Sequence, residues 1–223
     1  MTTLPFVNAT DCEAAAPRVA RHLQSGGLIG YPTETVYGFG CLLRPDALER
    51  LARLKLRTQD KAFLLLVTHD AMVPGLHWTG PARRLVAAFW PGPLTLVLRC
   101  DTDSFPPRVV SAGRTVAIRA TSHPGIQRLL RELGEPITST SANAPGGAPA
   151  RSAAEISMVL EAAHRSDGML VLDGGPLPPS PSSTIVDCSV EPPVLVRPGA
   201  IQLAELLEID NGIRTLESAS RIG

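Results

Sequence analysis

The 223-residue chain has no net charge, few aromatic side chains and very little lysine. Its 21 basic residues balance 21 acidic residues, and aromatic residues make up 4% of the sequence. This balance argues against a protein that holds nucleic acid by bulk positive charge, although it allows a local basic cleft. With 44% hydrophobic and 19% charged residues, the composition is that of a folded globular protein and excludes intrinsic disorder.

The sequence also lacks segments for targeting, membrane insertion or cross-linking. No apolar run approaches the roughly 20 residues that span a bilayer, and no basic stretch precedes an apolar segment at the start as in a signal peptide. The cysteines show no Cys-x-x-Cys spacing, which disfavours a zinc site or a disulfide framework; they are Cys12, Cys41, Cys100 and Cys188. We therefore predict a cytoplasmic protein with reduced thiols and no membrane partner.

Common signatures of nucleotide, hydrolase and metal sites are absent as well. The sequence has no Gly-x-x-x-x-Gly-Lys phosphate loop, no Gly-x-Gly-x-x-Gly after a strand, no Gly-x-Ser-x-Gly elbow and no His-Glu-x-x-His. Its five histidines are not spaced as metal ligands. The sequence therefore predicts no covalent serine nucleophile and no metal site built by the protein itself.

The position of the two lysines is the first informative feature of the sequence. Of the 21 basic residues only two are lysine, and both Lys55 and Lys61 lie in the segment KLRTQDK. One interpretation is an accident of a biased composition. The other, which we favour, is that this place needs a compact ammonium group where a planar guanidinium would not serve.

Apolar periodicity predicts alternating strands and helices in a single α/β domain spanning residues 1–223. Its core is expected at about 10–205, and 210–223 is expected to be a frayed tail. Several strands follow one another without a helix between them, so we expect a twisted sheet of parallel and antiparallel pairs. The first helix is predicted to start near Ala15, because Pro17 is tolerated in a first turn but not in a helix interior. Another helix is predicted at 151–164.

Four groups of polar residues at strand and helix ends are candidates for ligand contacts. Hydroxyls, amides and arginines at such ends suit phosphate, ribose or amino-acid ligands. Each group alone also fits an ordinary role as a turn, a helix cap, a solvated helix end or a surface ion pair. The groups are Tyr31–Gly38; Lys55, Arg57 and Lys61; Ser139–Asn143; and the set Thr115, Arg119, Ser182, Ser183, Thr184 and Arg197.

Seven segments occur in an order that resembles one family. They read GGLIGYPTETVYGFG, LKLRTQDK, WPGPLTLVL, TVAIRATSHPG, ITSTSAN, PSSTIVD and VLVRPGAI. Together they resemble the YrdC-like threonylcarbamoyl-AMP synthases over about residues 10–205. The most specific match pairs Lys-x-Arg (Lys55, Arg57) with Ser-x-Asn (Ser141, Asn143). The resemblance is to the short, single-domain form, because the chain length leaves no room for the second domain of longer members.

The resemblance implies a fold and a reaction. The fold is a twisted mixed α/β sheet with a concave, positively lined cavity. The reaction makes threonylcarbamoyl-AMP and pyrophosphate from L-threonine, bicarbonate and ATP, and supplies the threonylcarbamoyl group on adenosine 37 of tRNA. Implied partners are tRNA and the tRNA-modification proteins that receive the adenylate. The implied cofactor is Mg²⁺, carried mainly by the phosphates of ATP.

Carried over residue by residue, the resemblance divides the candidate residues into two sets. Residues expected to contact threonine are Thr33, Arg119, Ser139 and Ser183. Residues expected to hold ATP are Lys55, Arg57, Lys61, Thr115, Ser141, Asn143 and Arg197, with Lys55 and Arg57 also expected to be catalytic. The reaction needs positioning and charge neutralisation more than a nucleophile. We expect the Lys55 site to be a solvated cleft, so that its substitution leaves folding stability nearly unchanged.

One departure from the family pattern and two rival functions stay open. Some members have a threonine-contacting histidine in the strand after Lys-x-Arg, where this chain has AFLLLV, and His69 comes a few residues later. We therefore assign no such role to His69. The rivals are an RNA-binding module without catalysis and a carbamoyl-transfer domain of the kind found in hydrogenase-maturation enzymes. The zero net charge and few aromatics disfavour the first, and missing zinc-finger motifs disfavour the second.

Overall fold

A computed structural model describes residues 1–59, 61–163 and 168–216. The helices are α1 (Ala9–Gln24), α2 (Pro45–Leu54), α3 (Gly80–Phe89), α4 (Pro124–Leu133), α5 (Ala153–Ala162) and α6 (Leu203–Ile209). The strands are β1 (Thr2–Pro5), β2 (Leu28–Tyr31), β3 (Gly38–Gly40), β4 (Leu64–Leu66), β5 (Leu94–Arg99), β6 (Thr115–Arg119), β7 (Ile137–Ser141), β8 (Met169–Asp173), β9 (Thr184–Asp187), β10 (Val194–Arg197) and β11 (Arg214–Thr215). Short 3₁₀ turns lie at Asp70–Met72 and Thr102–Ser104.

The strands form one mixed sheet in the order β1-β8-β2-β3-β7-β4-β6-β5-β9-β10-β11. The pairs β1/β8, β2/β8, β4/β6, β5/β9 and β10/β11 are parallel. The pairs β2/β3, β3/β7, β4/β7, β5/β6 and β9/β10 are antiparallel. This confirms the predicted α/β class with a mixed sheet, and it places the ends of β6 and β7 beside the loop that follows β2.

Two apolar clusters stabilise the sheet. One joins α1 and α4 to the sheet through residues such as Val19, Leu23 and Leu129. The larger cluster joins α2, α3, α5 and α6 through Leu51, Leu85 and other buried side chains. Because each helix buries an apolar stripe against strands, the polar ends of the strands are left to form a cavity.

Helix α1 begins earlier than the sequence indicated. It starts at Ala9, where Asn8 and Asp11 form a capping box, and Pro17 lies inside it rather than in its first turn. The prediction of a start near Ala15 was therefore wrong. The capping box and the burial of Ala16 and Val19 offset the hydrogen bond that Pro17 cannot donate.

Strand β3 was not predicted, because its sequence Gly-Phe-Gly has low strand propensity. A Cβ on Gly40 would lie 2.2 Å from the carbonyl oxygen of Thr138, so the close approach of β7 requires glycine there. The strand begins at Gly38 on the edge of the cavity and carries the chain away from it.

The C-terminal segment is more ordered than the expected tail at 210–223. Asp210 is buried in an ion pair with Arg84 at 2.6 Å, Ile213 is buried, and β11 pairs with β10. The prediction of a frayed tail is therefore wrong for residues 210–216, while 217–223 lie outside the described residues, as does residue 164 of the predicted helix 151–164. In the part of the chain that is described, no helix has the length and apolar character needed to cross a membrane.

Candidate active site

A cavity of about 280 Å³ opens where the loop after β2 meets the central strands. Strands β4 to β7, β9 and β10 each contribute to its wall, and most of its side chains end in hydroxyl or guanidinium groups. Seven of the predicted site residues line it: Thr33, Arg57, Arg119, Ser139, Ser141, Ser183 and Arg197. The other four are not among its lining residues: Lys55, Lys61, Thr115 and Asn143.

Arg119 ends β6 and is 5% exposed at the cavity wall. Its Nη2 lies 2.8 Å from Oε1 of Glu34 in an ion pair, and its Nε donates a hydrogen bond of 3.2 Å to the carbonyl of Gly92. Both Nη atoms lie 3.3 Å from Oγ1 of Thr35. A guanidinium fixed in this way suits the two-pronged recognition of a carboxylate.

Glu34 was singled out by the sequence only as part of the loop Tyr31–Gly38, with no role of its own. Its Oε2 accepts a short hydrogen bond from Thr121, while its Oε1 is buried and faces Arg119. Burial alone would raise the pKa of Glu34, but the charge of Arg119 and the hydrogen bonds from Arg119 and Thr121 outweigh it and hold the pKa below its ordinary value. Glu34 is therefore ionised at neutral pH and balances the Arg119 charge.

Thr33 lines the cavity, but its hydroxyl is engaged in its own turn. Its Oγ1 donates to the carbonyl of Val36 at 2.7 Å and accepts from the amides of Thr35 and Val36, each at 3.2 Å. Oγ1 of Thr35 lies 3.0 Å away and connects this turn to Arg119. Thr35, which the sequence indicated only as part of the loop Tyr31–Gly38, is therefore the threonine of this loop that contacts the arginine.

A second arginine, Arg197, approaches the cavity from β10. It donates through Nη2 to the carbonyl and the Oγ of Ser183, at 2.7 and 3.1 Å. The Ser183 hydroxyl also lies 2.8 Å from Oγ1 of Thr95, a buried residue of β5. Partial burial lowers the pKa of Arg197, and the charge of Arg119 lowers it further. Thr95 was missed by sequence reasoning, because a threonine inside the apolar strand LTLVL carries no signal of a site.

Lys55 caps the end of α2 and reaches across to the loop after β7. Its Nζ donates to the carbonyls of Ser141 and Asn143 at 2.8 and 2.7 Å, and to Oδ1 of Asn143 at 2.6 Å. Burial, and secondly the charge of Arg57, lower the pKa of Lys55 to about 8. Lys55 is thus partly buried and ties two segments together, which corrects the expectation of a solvated cleft.

Arg57 and Lys61 lie on the loop that follows α2. Arg57 donates to the carbonyls of Lys61, at 2.6 Å, and of Ala62, and its guanidinium stacks 4.8 Å from the centre of the Phe63 ring. Lys61 itself is exposed. The loop thus presents Arg57 to the cavity and Lys61 to solvent.

The two remaining predicted residues lie beside the cavity. Asn143 accepts through Oδ1 from the hydroxyl of Ser141 at 2.7 Å and donates to the carbonyl of Gly147 at 2.8 Å. Thr115 lies on the same face of β6 as Arg119, but its hydroxyl pairs with that of Ser111 at 2.7 Å. Asn143 is therefore joined to the site through Ser141 and Lys55, whereas Thr115 is held at the far end of its strand.

His69 is not brought to this cavity. It is exposed, its Nδ1 lies 2.6 Å from Oγ1 of Thr68, and it borders a separate depression with Trp78 and Trp90. A contact between His69 and a ligand beside Arg119 is therefore not supported. Within residues 1–59, 61–163 and 168–216, no cluster of three or more His, Cys, Asp or Glu side chains is arranged to hold a metal ion.

The mixed sheet and the arginine-lined cavity define an α/β protein with a polar site for a ligand that carries negative charge. A family model described as "Telomere recombination", for Sua5, YciO and YrdC, matches residues 21–199. The chain therefore belongs to the Sua5/YciO/YrdC family.

Individual relatives agree with this assignment. The chain is 35% identical to the threonylcarbamoyl-AMP synthase of Bacillus subtilis over 93% of its own length and 63% of that protein. Its fold is similar to that of a doubly substituted P. abyssi Sua5, with 29% identity, a TM-score of 0.87 and 99% of this chain matched to 63% of that one. It is also similar to P. abyssi Sua5 complexed with L-threonine, with 28% identity, a TM-score of 0.84, and 98% and 63% coverage. The chain spans less than two thirds of each of these relatives.

Proposed function

We propose that this chain forms threonylcarbamoyl-AMP and pyrophosphate from L-threonine, bicarbonate and ATP, as a nucleotidyltransferase that serves the t6A modification of tRNA. The observation that carries the proposal is one cavity with two differently held arginines, Arg119 and Arg197, flanked by serine hydroxyls. Support comes from the synthase name of the B. subtilis relative and from the L-threonine in the P. abyssi Sua5 complex.

Threonine is proposed to bind at the Arg119 end of the cavity. The guanidinium takes the α-carboxylate, and the hydroxyls of Ser139 and Ser183, which also line the cavity, are proposed to hydrogen-bond the substrate. The hydroxyl of Thr33 is occupied by its turn, so we propose that this residue acts by shaping the loop beside Arg119.

The chemistry proceeds through a carbamate. The threonine amine attacks bicarbonate, a C–N bond forms and water leaves. A carbamate oxygen then attacks the α-phosphorus of ATP, the bond from that phosphorus to the bridging oxygen breaks, and pyrophosphate leaves with the electron pair. The protein contributes alignment and positive charge rather than a nucleophile.

The phosphate end is proposed to comprise Arg197, Arg57 and Lys55, with Ser141 and Asn143 holding Lys55 in place. Lys61 and Thr115 are proposed to contact the outer parts of ATP. The described residues offer no carboxylate cluster for a metal, so Mg²⁺ would come with ATP, ligated by phosphate oxygens and water, where it neutralises phosphate charge. We propose a cytoplasmic role, with tRNA-modification proteins that receive the adenylate and tRNA that receives its threonylcarbamoyl group as AMP leaves.

Pyrophosphate release tests the proposal. The assay runs with ATP and each amino acid in turn, with and without bicarbonate, and the adenylate is identified by mass spectrometry. Release that requires both threonine and bicarbonate is the expected result. Release with no amino acid dependence, or RNA binding without adenylate formation, would contradict it.

Valine serves as the matched control substrate. It has the shape of threonine but lacks the hydroxyl, so it cannot form the hydrogen bond that the serine hydroxyls of the cavity are proposed to make with the substrate. We expect little release with valine, and equal release with the two amino acids would show that these hydroxyls do not recognise the substrate.

A further inference from the structure

We propose that Glu34 is a specificity-determining residue: by neutralising Arg119, it makes this end of the cavity accept a zwitterionic amino acid and turn away phosphate groups. The identity of that amino acid rests on the proposed function. The role of Glu34 itself rests on the geometry of the ion pair.

The pair is built as a fixed unit behind the cavity wall. Oε1 of Glu34 lies 2.8 Å from Nη2 of Arg119, and Oε2 is held by the Thr121 hydroxyl. The side chains are 19% and 5% exposed, respectively, so water screens the two charges from each other only weakly. Glu34 is not among the residues that line the cavity, whereas Arg119 is. Glu34 therefore acts on a ligand through Arg119.

Arg197 provides the contrast within the same cavity. Among the described residues its hydrogen-bond partners are the carbonyl and hydroxyl of Ser183, and neither carries a charge. Its positive charge is therefore available to a phosphate, while the charge of Arg119 is already balanced. The two ends of one small cavity thus differ in net charge although each presents a guanidinium.

This difference discriminates between the ligands by their charge. Threonine is a zwitterion with no net charge, so an added positive charge attracts its carboxylate and repels its ammonium group. Pyrophosphate carries several negative charges, so the same added charge attracts it strongly in a weakly screened cavity. Loss of the Glu34 charge should therefore strengthen pyrophosphate binding far more than threonine binding.

Glu34→Gln tests this directly by calorimetric titration with pyrophosphate and, separately, with L-threonine, both without magnesium. We expect the dissociation constant for pyrophosphate to fall at least about tenfold, and saturating threonine to reverse this gain because both ligands then use Arg119. Glu13→Gln is the control, since it removes the same charge from the exposed ion pair with Arg128 outside the cavity. It should leave both constants unchanged.

The double variant Glu34→Gln, Arg119→Gln provides a second test if the single variant does not fold. It removes both charges of the pair, so no buried charge is left without a partner. If the pair contributes no net charge, pyrophosphate binding stays within about twofold of wild type, while threonine binding is lost. If the double variant binds pyrophosphate about tenfold more weakly than the wild type, the proposal is wrong. It is also wrong if a folded Glu34→Gln binds pyrophosphate with unchanged affinity. Failure of the wild type to bind threonine would instead count against the proposed function, because the pyrophosphate titrations do not depend on it.

Discussion

Arg119 and Arg197 face one cavity from neighbouring regions of the sheet, yet they are held in opposite ways. Arg119 is buried on β6 and is joined to a carboxylate, a carbonyl and a hydroxyl. Arg197, on β10, is only partly buried and donates to a carbonyl and a hydroxyl of Ser183. Arg119 therefore contributes to folding stability as well as to the site, whereas Arg197 is held by an uncharged neighbour.

The difference shows that residue type alone does not define the role of an arginine in a site. Burial with a counter-ion gives direction and removes net charge, which suits a carboxylate that must be oriented. Partners that carry no charge leave the positive charge unbalanced, which suits phosphate. The predictions below test this contrast by stability, by substrate dependence and by pH.

Removal of Arg119 should have the largest effect, on folding stability. Arg119→Gln leaves Glu34 buried without its counter-ion, and such a loss costs about 3–5 kcal/mol of unfolding free energy. Arg197→Gln leaves no buried carboxylate unpaired, and we expect a change below about 1 kcal/mol. Urea unfolding of both variants measures this, and equal losses would show that the two arginines are structurally equivalent.

Substitution of each arginine by lysine should distinguish the threonine end of the cavity from the ATP end. Arg119→Lys keeps the charge beside Glu34 but loses the fork, so KM for threonine should rise about 10- to 150-fold, the range for losing a hydrogen bond of 1.5–3 kcal/mol to a charged group. KM for ATP should change little. Arg197→Lys should show the reverse pattern in steady-state kinetics. A rise in KM for ATP alone in Arg119→Lys would exchange the two assignments.

Lys55 should show effects on both rate and stability. Lys55→Arg and Lys55→Ala are each expected to lower turnover at least about tenfold, because a guanidinium does not fit where three oxygens surround one Nζ. Lys55→Ala should also lower the unfolding free energy by about 1–3 kcal/mol, since it removes the tie to Ser141 and Asn143. Lys61→Ala is the exposed control for stability, and its turnover should fall less than that of the Lys55 variants. Wild-type turnover in Lys55→Arg would mean that the lysine pair is an accident of composition.

The lowered pKa of Lys55 predicts a pH dependence with a definite sign. With a pKa of about 8, the ammonium group is present below this pH and is lost as the pH rises through it. The value of kcat/KM for ATP should therefore fall with rising pH above about 8, by up to tenfold per unit. The wild-type pH profile is divided by the profile of Lys55→Arg. Ionisation of bicarbonate and threonine affects both profiles and cancels, whereas the arginine stays protonated throughout. A flat ratio between pH 7 and 9 would contradict this role.

Sequence reasoning reached the elements with clear periodicity but not the connections between them. The sequence TVAIR, a short apolar run that ends in arginine, predicts a buried strand, and β6 has the same bounds. The predictions failed at Gly-Phe-Gly of β3 and at the interior Pro17 of α1, because tertiary contacts override local propensity there.

The candidate site shows the same division. Most of the chosen hydroxyls and cations meet at one cavity, since they follow strand ends. The ion pair of Glu34 with Arg119 joins residues far apart in the chain, and no local pattern in the sequence pairs them. Thr95 is a further case, because its role depends on the pairing of β5 with β9, which brings it beside Ser183.

Thr95→Val should have the smallest effect, and it tests how the neutral surroundings of Arg197 are maintained. The change keeps the shape of the side chain and removes its hydrogen bond of 2.8 Å to the Ser183 hydroxyl. That loss amounts to about 1 kcal/mol, or roughly fivefold in binding. Ser183 also accepts from Arg197, so a hydroxyl that is free to turn should weaken threonine and ATP binding together, about fivefold each. Thr68→Val, which removes a hydroxyl bonded to His69 and Met72 outside the cavity, is the control and should leave both KM values unchanged. If Thr95→Val raises KM for threonine alone, Ser183 belongs to the Arg119 end of the cavity and Arg197 does not depend on it.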